Sequence, residues 1–295
     1  MGRRSAKWSG RLRVGCLGAL AVIVASIVGV AGFLAWQGQR KPTGNPQYVA
    51  LGSSFAAGLG LGARVPGSPI VCQRSGEGYP SHLARILGLS LVDMSCSGAT
   101  TSHVLHGGQV FQGRQIDAIS RETQLVTLTS GGNDISYVGD LTFLAMQRSS
   151  GLTGWAMRHF WSGPKTMADR KFAKVRADLV ETLRQIRRRA PSAKIVLVSY
   201  PSILPPEGAC DKLQLDVGEV EMMRAVGERL AAETRAAAAA EGAIFVDAQS
   251  AGAKHHACSD APWVNGWRDP KGAPFHPNSE GAKAVATLIA AALAG

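Results

Sequence analysis

Five short apolar runs constrain this chain more than any other feature. They are Tyr48–Gly52, Leu89–Met94, Leu125–Thr129, Lys194–Ser199 and Ala243–Val246. None alternates apolar with polar residues, as a strand with one wet face would. Helical segments separate them. Tyr79–Leu87 opens on Pro80, which suits the first turn of a helix. Within Lys165–Arg189, the residues Phe172, Val175, Leu179, Leu183 and Ile186 recur at spacings of three and four. Leu215–Glu241 is rich in alanine, the best helix former, and a last helix runs over Asn278–Leu293. Strands alternating with helices predict an α/β fold with a parallel sheet of five strands covered on both faces. Two stretches resist this pattern. Thr101–Ile119 reads as short helical turns. Ile135–Thr166 holds Phe143, Trp155, Phe160 and Trp161. It reads as a helical insertion whose aromatics pack onto the core, with a lid or acyl-binding wall as the alternative.

The amino terminus is a different kind of segment. From Val14 to Trp36 there is no charge, and about 20 such residues suffice to span a bilayer. The run is longer than the apolar core of a signal peptide. Residues 1–13 form a basic head that stays in the cytoplasm. Residues 14–36 are expected to be a signal anchor, with Trp36 at the outer interface. Residues 37–46 are a linker, and 47–295 form one domain outside the membrane. A cleaved signal, with small residues Gly29-Val30-Ala31, is the alternative, and the protein is then secreted. The formal charge is +11, of which seven positive charges lie in residues 1–41 with no acid among them. The rest is spread thinly and forms no basic, aromatic stripe, so no nucleic-acid partner is expected. Outside the span stand Cys72, Cys96, Cys210 and Cys258. An exported domain makes disulfides natural, and four cysteines allow three pairings.

The unusual polar residues follow the strands. Ser53-Ser54 comes after the first, Cys96-Ser97-Gly98 after the second, Gly131-Gly132-Asn133-Asp134 after the third, and Phe275-His276-Pro277-Asn278 opens the last helix. In an open parallel sheet, ligands bind outside the carboxyl ends of the strands. A serine there needs a base, and His276, steadied by Pro277 and the following helix, is the best placed of the seven histidines. The Ser54 and Gly98 main-chain N–H groups and the Asn133 amide are candidate donors to an oxyanion. Helix capping by the serines and by Asp134 accounts for part of the same pattern.

These four blocks, in this order, resemble the SGNH (GDSL-type) hydrolase superfamily, in particular its actinobacterial secreted esterase/lipase branch. The resemblance runs from about Tyr48 to the carboxyl terminus. It implies Ser54 as nucleophile, His276 as base, and Ser54, Gly98 and Asn133 as the oxyanion site. It also implies disulfides Cys72–Cys96 and Cys210–Cys258 and a flavodoxin-like three-layer α/β/α sandwich. The chain departs from the family twice. Ser53 stands where an aspartate is usual, which leaves Ser53 as a second candidate nucleophile. Ala273 stands where an acid would orient the histidine. By analogy with members that use a main-chain carbonyl, the Ala273 carbonyl is expected to accept the imidazole N–H, and Asp269 is a weaker candidate for that part. The expected activity is hydrolysis of carboxylic esters, small or lipid, through an acyl-enzyme, with no metal or organic cofactor. Deacetylation of a cell-envelope polysaccharide by the same residues is the rival reaction. A catalytically silent envelope-binding domain is the rival from another class.

Overall fold

In chain order, the computed structural model contains α1 (Ser5–Gly38), β1 (Tyr48–Gly52), α2 (Ser54–Ala57), α3 (Tyr79–Leu87), β2 (Leu91–Asp93), α4 (Thr101–His106), β3 (Leu125–Thr129), α5 (Tyr137–Gln147), α6 (Gly151–Phe160), α7 (Phe172–Arg189), β4 (Lys194–Val198), α8 (Val217–Ala240), β5 (Ile244–Val246), α9 (Ala248–Ala251) and α10 (Ser279–Ala294). Three short 3-10 turns, Ile70–Cys72, Gln109–Phe111 and Gln115–Ala118, complete it. It describes residues 5–40, 44–268 and 272–295.

The strands form one parallel sheet in the order β2-β1-β3-β4-β5. Period-two geometry explains why each strand reads as continuously apolar. Val49, Leu51, Val126, Leu128, Ile195 and Leu197 point to one face and pack on Leu179, Leu183 and Ile186 of α7 and Met223, Val226 and Leu230 of α8. The residues between them, Tyr48, Ala50, Leu125, Val196 and Val198, point the other way, onto Tyr79 and Leu83 of α3 and Val285, Ala286 and Ile289 of α10. Neither face meets water, so neither can be polar. The polar exceptions are paired: the Tyr48 and Tyr79 hydroxyls meet the Thr127 and Thr129 hydroxyls at 2.7 and 3.0 Å.

The chain leaves β1 toward β2 and later returns to the opposite side of β1 as β3. This reversal makes a switch point, where the carboxyl ends of parallel strands open a crevice. Ser54 and His276 meet on that edge.

The predicted insertion is a pair of helices, α5 and α6. Its packing is only partly internal. Phe143 and Trp161 meet edge to face at 5.6 Å, but Leu152, Trp155 and Phe160 are exposed. Helix α7 starts at Phe172, later than the predicted Lys165, because Asp140 of α5 draws the intervening chain inward. Asp140 pairs with Arg170 at 2.8 Å and accepts the Lys165 N–H at 3.2 Å. Helix α1 continues through the uncharged run to Gly38, where the sequence reads as linker. Over Leu17–Gly38 it is long and apolar enough to cross a membrane, and none of that stretch is buried against the domain.

Candidate active site

β1 ends at Gly52, whose φ of +135° suits only glycine, and a Cβ there would collide with the Thr129 carbonyl. The Ser53 N–H still reaches that carbonyl, at 3.0 Å, so the chain is held to β3 until the moment it turns. Ser54 opens the one-turn helix α2, which Gly58 closes in a left-handed conformation. The side chain of Ser54 is thereby presented at the carboxyl edge.

His276 comes to it from the far end of the chain. Residues 263–265 pair antiparallel with 276–278: the Asn265 N–H reaches the His276 carbonyl at 2.9 Å, and the Asn278 N–H reaches the Trp263 carbonyl at 2.9 Å. The Asn278 side chain then caps α10 by accepting the Gly281 N–H at 2.9 Å. Fixed on both sides, the imidazole tilts against Phe55, with 5.0 Å between ring centroids. Its Nε2 lies 2.8 Å from Ser54 Oγ and its Nδ1 lies 2.7 Å from the Pro274 carbonyl oxygen. A carbonyl can only accept, so Nδ1 carries the proton and Nε2 offers its lone pair to the serine hydroxyl. Burial disfavours the imidazolium and lowers the His276 pKa to about 4, only partly opposed by the Pro274 carbonyl. The ring is neutral at pH 7, the form a base requires.

The acceptor is therefore Pro274, not Ala273. The Ala273 carbonyl is engaged by the Asn265 side-chain amide at 3.1 Å and by the His276 main-chain N–H at 3.3 Å. Buried Phe275, at φ +57°, turns the chain between Pro274 and the ring. Asp269 lies outside the described residues.

The loops after β2 and β3 flank this pair because β1 lies between those strands. The first is fastened by the Cys72–Cys96 disulfide, by the Ser97 N–H to the Cys72 carbonyl at 3.1 Å, and by the Cys96 N–H to the Gly52 carbonyl at 3.0 Å. Gly98, at φ +83°, takes a conformation that a side chain would strain. In the second loop, the Asn133 amide donates to the Ala99 carbonyl at 2.8 Å, joining the two loops across the end of β1. Asp134 accepts from the Thr101 N–H at 3.0 Å and from its hydroxyl at 2.6 Å, so it serves the amino end of α4 instead of its own turn. Desolvation raises its pKa. The second disulfide joins Cys210 to Cys258 in the loops after β4 and β5.

Ser53 is buried, with Oγ 3.1 Å from the Tyr200 hydroxyl, which also accepts the Gly132 N–H at 3.1 Å. Among the described residues it has no base within reach, unlike Ser54. Sequence reasoning assigned no part to Tyr200, to Pro274 or to Gln115, whose buried amide pairs with both the N–H and the carbonyl of Gly52 at 2.7 and 3.0 Å. Tyr200, at the end of β4, carried a signal by its position. Gln115 carried none.

Residues 50–284 match the model of the GDSL-like lipase/acylhydrolase family. "Lipase 2" of Streptomyces coelicolor is 32% identical over 282 residues, which cover 90% of this chain and 92% of that protein. Two of the similar solved structures are lipolytic enzymes of Streptomyces. The extracellular lipase of Streptomyces rimosus gives a TM-score of 0.64 at 28% identity, over 83% of this chain and 98% of that one. Phospholipase A1 of Streptomyces albidoflavus NA297 gives 0.66 at 27% identity, over 85% and 99%.

Proposed function

The chain belongs to the GDSL-like lipase/acylhydrolase family, and from that premise we propose that it is a membrane-anchored serine ester hydrolase working through an acyl-enzyme. The 2.8 Å contact between Ser54 Oγ and His276 Nε2 carries this reading. As Ser54 Oγ attacks the ester carbonyl carbon, its proton passes to Nε2. The electron pair of the broken C=O π bond moves to the carbonyl oxygen. That oxyanion is received by the main-chain N–H groups of Ser54 and Gly98 and by the Asn133 amide N–H that does not serve Ala99. Collapse expels the alcohol, which leaves with the proton from Nε2. Water then yields a proton to the same nitrogen and attacks the acyl carbon. As the second tetrahedral intermediate collapses, the acyl C–O bond to Ser54 breaks, Nε2 returns the proton to Ser54 Oγ and the acid leaves. The Pro274 carbonyl holds the ring in the productive tautomer and stabilises the transient imidazolium as a dipole, without the full charge of a carboxylate. The unit is a dyad with a main-chain third member.

Residues 1–13 are the cytoplasmic head, 14–36 the anchor, 37–46 the linker and 47–295 the catalytic domain outside the membrane. The length of α1 and the two disulfides support that placement. The test compares full-length wild type and Ser54→Ala in detergent on p-nitrophenyl esters from acetate upward. A loss in kcat on the order of 10³ or more is expected. Equal activity in the variant removes Ser54 as nucleophile. No activity in folded, oxidised wild type favours a silent envelope-binding domain.

A further inference from the structure

The end of α1 does not leave the domain at a random point. The Gly113 N–H donates to the Gly38 carbonyl at 3.0 Å, the Gln39 amide donates to the Phe111 carbonyl at 2.7 Å, and the Ile70 N–H donates to the Gln37 side chain at 3.1 Å. Trp36, with the Arg40 guanidinium 4.8 Å from its ring centroid, has the amphipathic character of a membrane-interface anchor. Where α1 spans a bilayer, residues within hydrogen-bond reach of Gln37–Gln39 stand at the membrane surface.

Those residues are unusual. Ile70, Val110 and Phe111 are 47, 46 and 48% exposed. Val110 and Phe111 are consecutive non-glycine residues at φ +44° and +64°, a conformation that is costly for a β-branched side chain. The backbone here is distorted at a turn that leaves apolar side chains in the open. The same turn is tied to the candidate active site. Gln109 donates to the Ser97 carbonyl at 2.6 Å, beside Gly98, and Gln115 pairs with Gly52, two residues before Ser54.

We infer that Ile70, Val110 and Phe111 form a bilayer-contact surface at the end of α1, turning the catalytic edge of the sheet toward the membrane. The substrate is then an ester of the lipids in that same bilayer. Continuity with an apolar span selects a lipid surface over a protein partner. The inference rests on α1 remaining attached, and its substrate half rests on Ser54 being the nucleophile.

Full-length protein in phosphatidylcholine/phosphatidylglycerol vesicles provides the test. With Cys16→Ser to clear the span, a nitroxide is placed at Phe111→Cys or at Ser192→Cys, an exposed position in the turn before β4 on the opposite edge of the sheet. The Phe111 label is expected to relax strongly with oxygen and weakly with a water-soluble nickel complex, and the Ser192 label the reverse. A Phe111 label as water-exposed as the Ser192 label overturns the contact. In parallel, the triple change Ile70→Ser, Val110→Ser, Phe111→Ser is expected to lower fatty-acid release from the vesicles at least tenfold. Hydrolysis of soluble p-nitrophenyl butyrate should stay within twofold. Unchanged release from the vesicles in the triple variant overturns the part played by the apolar surface, and wild type that cleaves the soluble ester but not the bilayer lipid overturns the substrate class. Wild type that cleaves neither ester overturns the esterase reading, while the label positions still decide the contact.

Discussion

The Pro274 carbonyl oxygen lies 2.7 Å from Nδ1 of His276, two residues further along the chain. The imidazole is thus oriented by its own local backbone, and no carboxylate among the described residues counters the burial that drives its pKa from 6.5 to about 4. On a soluble ester, kcat/KM is expected to fall about tenfold per pH unit only below about pH 4 and to be level from about pH 6 to 8. An acidic limb centred near 6.5 in the pH–rate profile contradicts this account of the base.

The same shift enters stability. Above pH 6.5 His276 is neutral whether the chain is folded or not. Between 6.5 and about 4 the unfolded chain takes up a proton that the folded chain refuses, so stability drops as the pH falls and the loss is complete below about 4. The full difference is roughly 3 kcal/mol. Urea unfolding at pH 7 and pH 4 is expected to show wild type losing that much more than His276→Gln, in which all other titrating groups are kept. Equal losses in the two proteins remove His276 from the acid sensitivity.

Asn133 spends one amide N–H on the Ala99 carbonyl at 2.8 Å, and its other N–H is the proposed oxyanion donor. Asn133→Ala is expected to lower kcat by about 10² to 10³ with KM nearly constant, the mark of a donor needed only in the transition state. Gly98→Ala meets two obstacles: the φ of +83°, and Gln109 Nε2 standing 3.1 Å from the new Cβ. It should cost about 1 kcal/mol in stability and lower kcat as the loop moves. Steady-state kinetics beside thermal unfolding separate the two effects, and a fall in KM affinity alone for Asn133→Ala contradicts its part.

The sheet was legible because strands buried on both faces must be apolar throughout, and Tyr48–Gly52 and Leu125–Thr129 sit in the structure with the bounds the sequence predicts. The residues that gather at the carboxyl edge were also legible, since Ser54, Gly98 and Asn133 each interrupt the chain just beyond a strand. The partner of His276 was not. A main-chain acceptor leaves no trace in residue identity, and the turn at Phe275 that selects Pro274 over Ala273 depends on a φ the sequence does not display. The start of α7 was misread for a related reason. Helical spacing cannot reveal that Arg170 is turned inward by Asp140, which is distant in sequence. The insertion was legible as helical, but its packing was not, because Leu152, Trp155 and Phe160 are exposed and α6 shows no clean apolar stripe.

Where the family usually has aspartate, Ser53 shares the Tyr200 hydroxyl with the Gly132 N–H. The Tyr200 phenol is pushed up to about 12 by burial and remains neutral, able to accept from one partner and donate to the other. Tyr200→Phe should leave the Gly132 N–H without its acceptor at a cost of about 1–3 kcal/mol. Because Asn133 follows directly, kcat should drop more than the folded fraction does. Ser53→Ala, which leaves the Tyr200–Gly132 bond intact, should cost less. A Ser53→Ala protein as inactive as Ser54→Ala makes Ser53 a direct participant.

Arg170 and Asp140 hold the insertion to the body of the domain. Both side chains are buried, 2.8 Å apart, and Arg170 also donates to the Ile135 carbonyl. Two charges taken out of water are costly, and their attraction does little more than offset that cost. Removing one partner is worse, because the other stays buried and unpaired. Arg170→Met is therefore expected to destabilise by about 3–5 kcal/mol. Asp140→Asn in that background removes the stranded charge while keeping an acceptor for the Lys165 N–H. The double variant should then be more stable than Arg170→Met alone. A double-mutant cycle by urea unfolding reads this coupling. Additive costs for the two changes show that the ion pair does not hold the insertion in place.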